Sequence, residues 1–355
     1  METTVLLGAP IFSNDPRVPM RCPIGQHHLY MEIANETKDP RVILRRLYRE
    51  YISIFATLNQ MGISFKIAIT RKELMLPGIV DALKSAGAQF IELAGIDPRI
   101  IVYPRDLATV LENCGLISTD IPSGYISGFN GPDRIIHSFY GEGGSILTRK
   151  NVALITERFF PEKHASDLSR YIQGDVADPT DLTEAGINVG IVPNPVNIEG
   201  VGEDCVYSRD YHLDRVGSLI EDRDGGLHLI LDPKIQSDYH GPLLPPRLSV
   251  EKSLNRYRTT CRALGITVHV PQSLHIPGSV GLIQFANRKV LMTSGERNVS
   301  KIVERLVGSE NVFYTSVPIR YYPTWGKATI HCLIGEIPAQ FLEYLTAQNE
   351  TLGSS

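Results

Sequence analysis

Residues 329–338 read T-I-H-C-L-I-G-E-I-P and place a histidine beside a cysteine in a short apolar run. A thiol becomes a strong nucleophile once its proton is removed, so Cys332 is a candidate nucleophile. The apolar run predicts a strand over residues 329–334, in which neighbouring side chains point to opposite faces. His331 would then point away from Cys332, and the base must come from another part of the chain.

The segment Tyr211-His212-Leu213-Asp214 offers such a base. If this segment is a strand, His212 and Asp214 stand at i and i+2 and share one face. An imidazole beside a carboxylate is what an acid/base relay needs. The alternative interpretation is a solvated strand end with an ordinary ion pair.

Two further segments carry carboxylates at comparable places. Arg105-Asp106 is a charged pair between two apolar runs, and Glu142 is surrounded by glycines in Y-G-E-G-G-S. Because glycine permits close backbone approach, a ligand can come up against Glu142. The alternative is a plain turn before a strand at residue 145. No Gly-Lys-Ser/Thr follows, which argues against a phosphate-binding loop.

Other residues are candidates for the edge of a binding site. Lys327 or Arg158 could bind a substrate carboxylate, and Trp325 could line the mouth of a pocket. Charged residues at strand ends are often simply solvated, and a single aromatic residue can equally serve packing. The remaining cysteines are expected to be small buried hydrophobic residues; they are Cys22, Cys114, Cys205 and Cys261.

Composition excludes several classes of function. The 355 residues carry a formal net charge of −4, so nothing suggests binding to nucleic acid or to an anionic membrane. Five scattered cysteines without a C-x-x-C pair argue against a disulfide framework and a thiolate metal site. The first ten residues carry an acid where a signal peptide would carry bases, and no apolar run approaches the roughly 20 residues of a membrane span. We therefore expect a soluble, cytoplasmic protein without membrane partners.

The elements that must position these residues follow a repeated order of hairpin, helix and strand. The clearest copies are expected at 217–221, 227–231, 250–264 and 266–270, and at 281–286, 289–293, 299–307 and 311–315. An earlier copy is expected at 145–148, 152–155, a helix over 165–172 and a strand over 189–192. A repeated ββαβ unit predicts an α/β protein whose modules surround an axis, as in a propeller. No linker is apparent, so residues 1–355 are expected to form one catalytic domain.

Taken in order, Arg105-Asp106, Glu142-Gly-Gly, His212-x-Asp214 and Cys332 resemble the motifs of the guanidino-group-modifying enzymes of the pentein fold. That superfamily includes arginine and agmatine deiminases, dimethylarginine hydrolases and amidinotransferases. The stretch T-I-H-C-L-I is similar to the Ile-His-Cys region of agmatine deiminases. The resemblance covers roughly residues 100–338, and each motif alone is unspecific.

The resemblance implies a pentein-type α/β propeller with a pseudo-fivefold axis and a small cationic guanidino substrate. Cys332 would attack the guanidinium carbon, His212 would transfer protons, and Asp106, Glu142 and Asp214 would hold the guanidinium. No cofactor or metal is needed, and a homo-oligomer is left open. A deiminase acting on an agmatine-like or arginine-like compound is the first interpretation. An amidinotransferase, a non-catalytic binding protein and a cysteine peptidase are the alternatives.

Overall fold

The protein is described from a computed structural model. It describes residues 2–8, 40–69, 79–93, 104–111, 114–117, 135–136, 143–159, 175–176, 179–195, 197–199, 206–208, 212–235, 249–276, 278–320 and 329–352. Within these ranges the chain is a mixed α/β protein, as predicted. None of the helices described there is long and apolar enough to cross a membrane.

Four sheets in the described part of the chain have three strands with one common pattern. The first strand pairs antiparallel with the second, and the second pairs parallel with the third. The four sheets are β4 (Ala108–Leu111), β5 (Cys114–Ile117) and β6 (Ile135–Ile136); β7 (Ile146–Arg149), β8 (Val152–Thr156) and β11 (Asn188–Val192); β14 (Gly217–Glu221), β15 (Leu227–Leu231) and β16 (Thr267–His269); and β17 (Ile283–Gln284), β18 (Val290–Met292) and β19 (Val312–Tyr314).

A further sheet joins the two ends of the chain. Its order is β20 (Ile334–Pro338), β1 (Thr3–Gly8), β2 (Phe65–Ile69) and β3 (Phe90–Glu92). β20 runs antiparallel to β1, with Leu7 opposite Ile334, and β1 runs parallel to β2. The sheet therefore repeats the pattern of the other four, although its strands come from opposite ends of the sequence.

Most of the described helices lie between strands of these sheets, and the last one follows β20. They are α1 (Pro40–Gln60), α2 (Ile79–Ser85), α3 (Thr180–Glu184), α4 (Leu213–Val216), α5 (Val250–Ala263), α6 (Arg297–Val307), α7 (Ile330–Leu333) and α8 (Ala339–Leu352). Proline at the first position suits the start of α1, and Gly62 follows that helix with φ 67°, a conformation that favours glycine. Two antiparallel strand pairs complete the described strands, β9 (Arg158–Phe159) with β10 (Asp175–Val176) and β12 (Asn197–Glu199) with β13 (Val206–Ser208).

Apolar side chains form separate cores around the sheets. The largest cluster lies between the terminal sheet and its helices and contains Leu6, Tyr51, Ile67 and Phe341. Other clusters lie against the remaining sheets. The first strands β4, β7, β14, β17 and β20 all contribute residues to the wall of one cavity of about 410 Å³.

Most predicted elements are present, and one important element was predicted wrongly. The strands at 217–221 and 227–231 have the predicted bounds, and α5 ends one residue earlier than expected. The strand predicted over 329–334 is wrong, because residues 330–333 form the helical turn α7 and β20 begins only at Ile334. The predicted helix near residue 170 lies outside the described residues. The arrangement of the modules around an axis stays a prediction.

Candidate active site

The candidate residues lie on one-turn elements that immediately precede the first strands of the sheets. A 3-10 turn at Pro104–Asp106 precedes β4, and another at Gly143–Ser145 precedes β7. In the same way α4 precedes β14 and α7 precedes β20. The two 3-10 turns contact each other, the turn before β4 contacts α7, and the turn before β7 contacts α4. Residues far apart in the sequence are thereby brought to one place.

Cys332 lies in α7 and is 5% exposed. Its Sγ lies 3.0 Å from Asp214 Oδ2, to which the thiol donates a hydrogen bond. The backbone N–H of Thr329, which precedes α7, donates to Sγ over 3.3 Å. Burial raises the pKa of Cys332 to about 11, and the Asp214 charge acts in the same direction. Hydrogen bonds from His212 and Thr329 act in the opposite direction.

Asp214 lies in α4 and is fully buried. Burial by itself would raise the pKa of this carboxyl. A hydrogen bond with His331 and the charge of Arg105 outweigh that effect, so the pKa lies well below its usual range and the group is ionised. Oδ2 accepts from Arg105 Nη1 over 3.3 Å, but Oδ1 has no hydrogen-bond partner among the described residues. A buried ionised oxygen without a donor is costly, which indicates a place for a donor from outside.

His212 precedes α4 in an extended conformation and is the most exposed member of this group. Its Nδ1 lies 3.8 Å from Asp214 Oδ1. The strand face predicted for His212 and Asp214 is wrong, because Asp214 belongs to the helical turn that His212 precedes. The two side chains are nevertheless close, because His212 immediately precedes α4 and Asp214 is the second residue of that helix.

One ligand atom from each of His212, Asp214 and Cys332 lies within 4.8 Å of the other two. A single small cation, whether a metal ion or an organic group, can therefore contact all three side chains. This set joins a nucleophile, a proton carrier and an anchoring carboxylate in one place. The sequence predicted these three residues as partners, although it predicted the wrong local structure for them.

Arg105 and His331 lie behind this group. Arg105 is buried, its Nη1 contacts Asp214 Oδ2 and His331 Nδ1, and its Nη2 donates to the carbonyl of Ile146 over 2.8 Å. Burial lowers the pKa of His331 to about 4, and the Arg105 charge acts in the same direction. His331 is therefore neutral at neutral pH, and its Nδ1 faces Arg105. The contacts of Arg105 were not predicted, since they join three distant segments.

Close backbone approach around the site requires glycine at two positions. A Cβ on Gly144 would lie 2.1 Å from His212 Nδ1, and a Cβ on Gly281 would lie 2.4 Å from Thr329 Cβ. The sequence predicted that glycines after Glu142 allow close approach by a ligand. In the structure Gly144 instead makes room for the His212 imidazole.

Several predicted site residues are described only in part. Glu142, Trp325 and Lys327 lie outside the described residues. Asp106 and Arg158 lie in described elements, but only their backbone is described. Their roles at the site stay predictions. Cys261 is buried in an apolar cluster, as predicted.

No protein-family model and no curated protein sequence matches the chain. Solved structures that resemble it include DDAH from Pseudomonas aeruginosa complexed with citrulline, at 13% identity and a TM-score of 0.40, covering 73% of this chain and 85% of that one. SxtG, an amidinotransferase from Microseira wollei, has 10% identity and a TM-score of 0.46, covering 94% of each chain.

The N-terminal domain of ArgZ, an arginine dihydrolase from cyanobacteria, has 9% identity and a TM-score of 0.45, covering 95% of this chain and 98% of that one. These names belong to enzyme classes that the sequence motifs resemble. Because the identities and TM-scores are low, the function proposed below rests on the residues of this chain.

Proposed function

We propose that the protein is a deiminase-type hydrolase that acts on the guanidinium group of a small arginine-like or agmatine-like substrate. The observation that carries the proposal is the buried Asp214 carboxylate, which contacts the Cys332 thiol through Oδ2 while Oδ1 has no donor among the described residues. A guanidinium supplies N–H donors and a positive charge to such an oxygen. It would then lie with its carbon beside the sulfur.

The charge of Asp214 suits a cationic substrate better than a neutral one. A carboxylate 3.0 Å from the sulfur disfavours a thiolate in the empty site. A bound cation offsets that repulsion, so the substrate itself would favour ionisation of Cys332. A cysteine peptidase fits less well, because the same carboxylate would repel the oxyanion that forms during peptide cleavage.

The proposed reaction has two stages. The Cys332 proton passes to His212, Sγ forms a bond to the guanidinium carbon, and His212 returns the proton to a terminal nitrogen, which leaves as ammonia. The product of this stage is a cationic amidino-thioether on Cys332. In the second stage His212 takes a proton from water, and the resulting hydroxide oxygen attacks the same carbon. The C–S bond then breaks and the proton of the new hydroxyl passes to solvent, where ammonia takes it up, so a neutral ureido product is released. His212 returns its own proton to the Cys332 thiolate.

The residues without described side chains have roles in this proposal. Asp106 and Glu142 would accept further hydrogen bonds from the guanidinium. Arg158 or Lys327 would bind a substrate carboxylate, and Trp325 would line the entrance. We also propose that the modules surround a pseudo-fivefold axis in a single catalytic domain. The common strand order and the cavity shared by their first strands support that arrangement.

A substrate panel tests the function. Ammonia and ureido product would be measured with agmatine, arginine, guanidinobutyrate, methylated arginines and guanidinoacetate, each with and without glycine, ornithine or lysine. The control is C332A. Ammonia release that needs Cys332 but no amine supports the proposed hydrolase. Turnover only in the presence of an amine would show an amidinotransferase instead.

If no member of the panel yields ammonia or ureido product, a second measurement is needed. Mass spectrometry of the protein after incubation with each substrate detects a trapped adduct on Cys332. An adduct without release would support covalent guanidino chemistry. No adduct and no product with any member of the panel would contradict the proposal and favour a non-catalytic protein.

A further inference from the structure

Arg105 contacts three described groups from separate segments around the site. Nη1 reaches Asp214 Oδ2 and His331 Nδ1, and Nη2 donates to Ile146 O. These partners belong to α4, α7 and the first residue of β7. The planar guanidinium is therefore held in one orientation by groups from three separate segments.

The orientation of the Arg105 guanidinium determines the direction in which the Asp214 carboxylate is turned. Arg105 and the Cys332 thiol both bind Oδ2. The carboxylate is consequently turned so that Oδ1 lies on the side of His212, 3.8 Å from Nδ1, with no donor in the described part of the chain. If the plane of the carboxylate turned, one oxygen would move away from the thiol and the other would move away from the side of His212.

We propose that Arg105 is a positioning residue, which fixes the rotation of the Asp214 carboxylate so that one oxygen binds the thiol and the other remains open for the substrate. The inference rests on the proposed function for what the open oxygen binds. His331 adds a further contact to the Arg105 guanidinium, because its Nδ1 faces Nη1. Arg105 itself does not touch the substrate.

The substitution R105K tests whether Arg105 acts by orienting the Asp214 carboxylate or only by its positive charge. Lysine retains the positive charge beside Asp214, but its single nitrogen cannot span Asp214, His331 and Ile146. We expect kcat to fall at least about tenfold, because a misplaced catalytic group is costly to the rate. The affinity for the guanidino substrate, measured by calorimetry in the C332A background, should stay within about threefold, since the ionised carboxylate remains.

Arg149 provides a matched control. It is also a largely buried arginine, it lines the same cavity as Arg105, and it donates to the carbonyls of Gln284 and Phe285 over 2.9 and 3.2 Å. R149K should therefore resemble R105K in its effect on the thermal midpoint, but its kcat should remain that of the unmodified protein. Equal losses of kcat in both variants would overturn the proposal, and so would an unchanged kcat in R105K.

A second readout needs no substrate. The rate at which iodoacetamide alkylates Cys332 at pH 8 depends on the nearby charge, since Asp214 disfavours the thiolate. If Arg105 fixes Asp214 against the thiol, R105K should raise this rate several-fold and R149K should not. If no panel compound binds C332A, the proposed function fails while the alkylation test still decides the role of Arg105. Unchanged alkylation in R105K would contradict that role.

Discussion

The chain holds two buried cysteines in the described part of the structure, and their surroundings differ in one respect. Cys261 lies on α5 in a cluster of apolar side chains, and burial alone raises its pKa to about 12. Cys332 is about as buried, but its neighbours are a carboxylate, an imidazole and a backbone N–H. Burial therefore does not distinguish a packing thiol from a candidate nucleophile, whereas the polar neighbours do.

The same contrast applies to carboxylates beside histidines. Asp222 accepts from His228 Nε2 over 2.8 Å through Oδ2 and from the backbone N–H groups of Asp224 and Gly226 through Oδ1. Both of its oxygens accept from donors of the protein, so neither is left without a partner. Asp214 differs because Oδ1 lacks a donor among the described groups. An unused buried acceptor is the better indicator of a binding site.

Removing each thiol tests the comparison most directly. C332A should lower turnover at least about 10³-fold, because the nucleophile is lost. C261A should leave turnover unchanged and lower the free energy of unfolding by about 1 kcal/mol, as expected for a small cavity. Ammonia release and chemical denaturation measure the two effects. Comparable loss of turnover in both variants would remove the distinction between the thiols.

The two histidines near Cys332 should differ as well. H212Q removes the proton carrier and should lower kcat by about 10² to 10⁴, with little change in stability. H331Q disturbs a partly buried partner of Arg105, so it should mainly lower the free energy of unfolding, by about 1–3 kcal/mol. Steady-state kinetics measures kcat, and chemical denaturation measures the free energy of unfolding, for both variants. Equal loss of kcat with intact folding would assign His331 a chemical role.

Alanine substitutions at two glycines test the same comparison through steric clashes. A Cβ on Gly144 would lie 2.1 Å from His212 Nδ1, whereas a Cβ on Gly190 would lie 2.6 Å from Leu264 in the core around Cys261. G144A should lower kcat about 10- to 100-fold by displacing His212. G190A should lower the free energy of unfolding by about 1–3 kcal/mol through overpacking and leave kcat unchanged. The reverse outcome would contradict the placement of His212.

Local patterns were sufficient to predict much of the fold. The bounds of β14 and β15 follow from apolar runs separated by turn residues, and α6 follows from apolar residues at helical spacing. The pairing of β1 with β20 has no local signal, because the two strands are more than 300 residues apart and meet only in the folded chain. The sheet β4–β5–β6 was not predicted, since its strands have two to four residues.

The candidate site was predicted in composition but not in local geometry. A four-residue apolar run fits a helical turn as well as a strand, and only the contacts of Thr329 with Cys332 favour the turn. One signal was available, since His212, Asp214 and Cys332 all stand immediately before the first strand of a sheet. The bonds of Arg105 could not be predicted, because they depend on how three segments pack.

The smallest expected effect concerns stability at alkaline pH. An unfolded thiol has a pKa of about 8.5, whereas in the fold Cys332 has a pKa of about 11 and Cys261 about 12. The fold therefore favours both protonated thiols. Their contribution to stability is complete below about pH 8.5 and declines as the pH rises toward the folded values. Each thiol should steepen the loss of unfolding free energy by at most about 1.4 kcal/mol per pH unit.

Denaturation between pH 8 and pH 10 measures this decline in the unmodified protein, C261A and C332A. Each substitution removes one thiol with a raised pKa and should flatten the decline of the unfolding free energy by a similar amount. The other three cysteines are present in all three proteins. A saturating guanidino ligand should separate the thiols, since a bound cation favours the Cys332 thiolate and leaves Cys261 unaffected. The decline should then become shallower in C261A and stay the same in C332A. An identical response of both variants to the ligand would show that its charge is not placed beside Cys332.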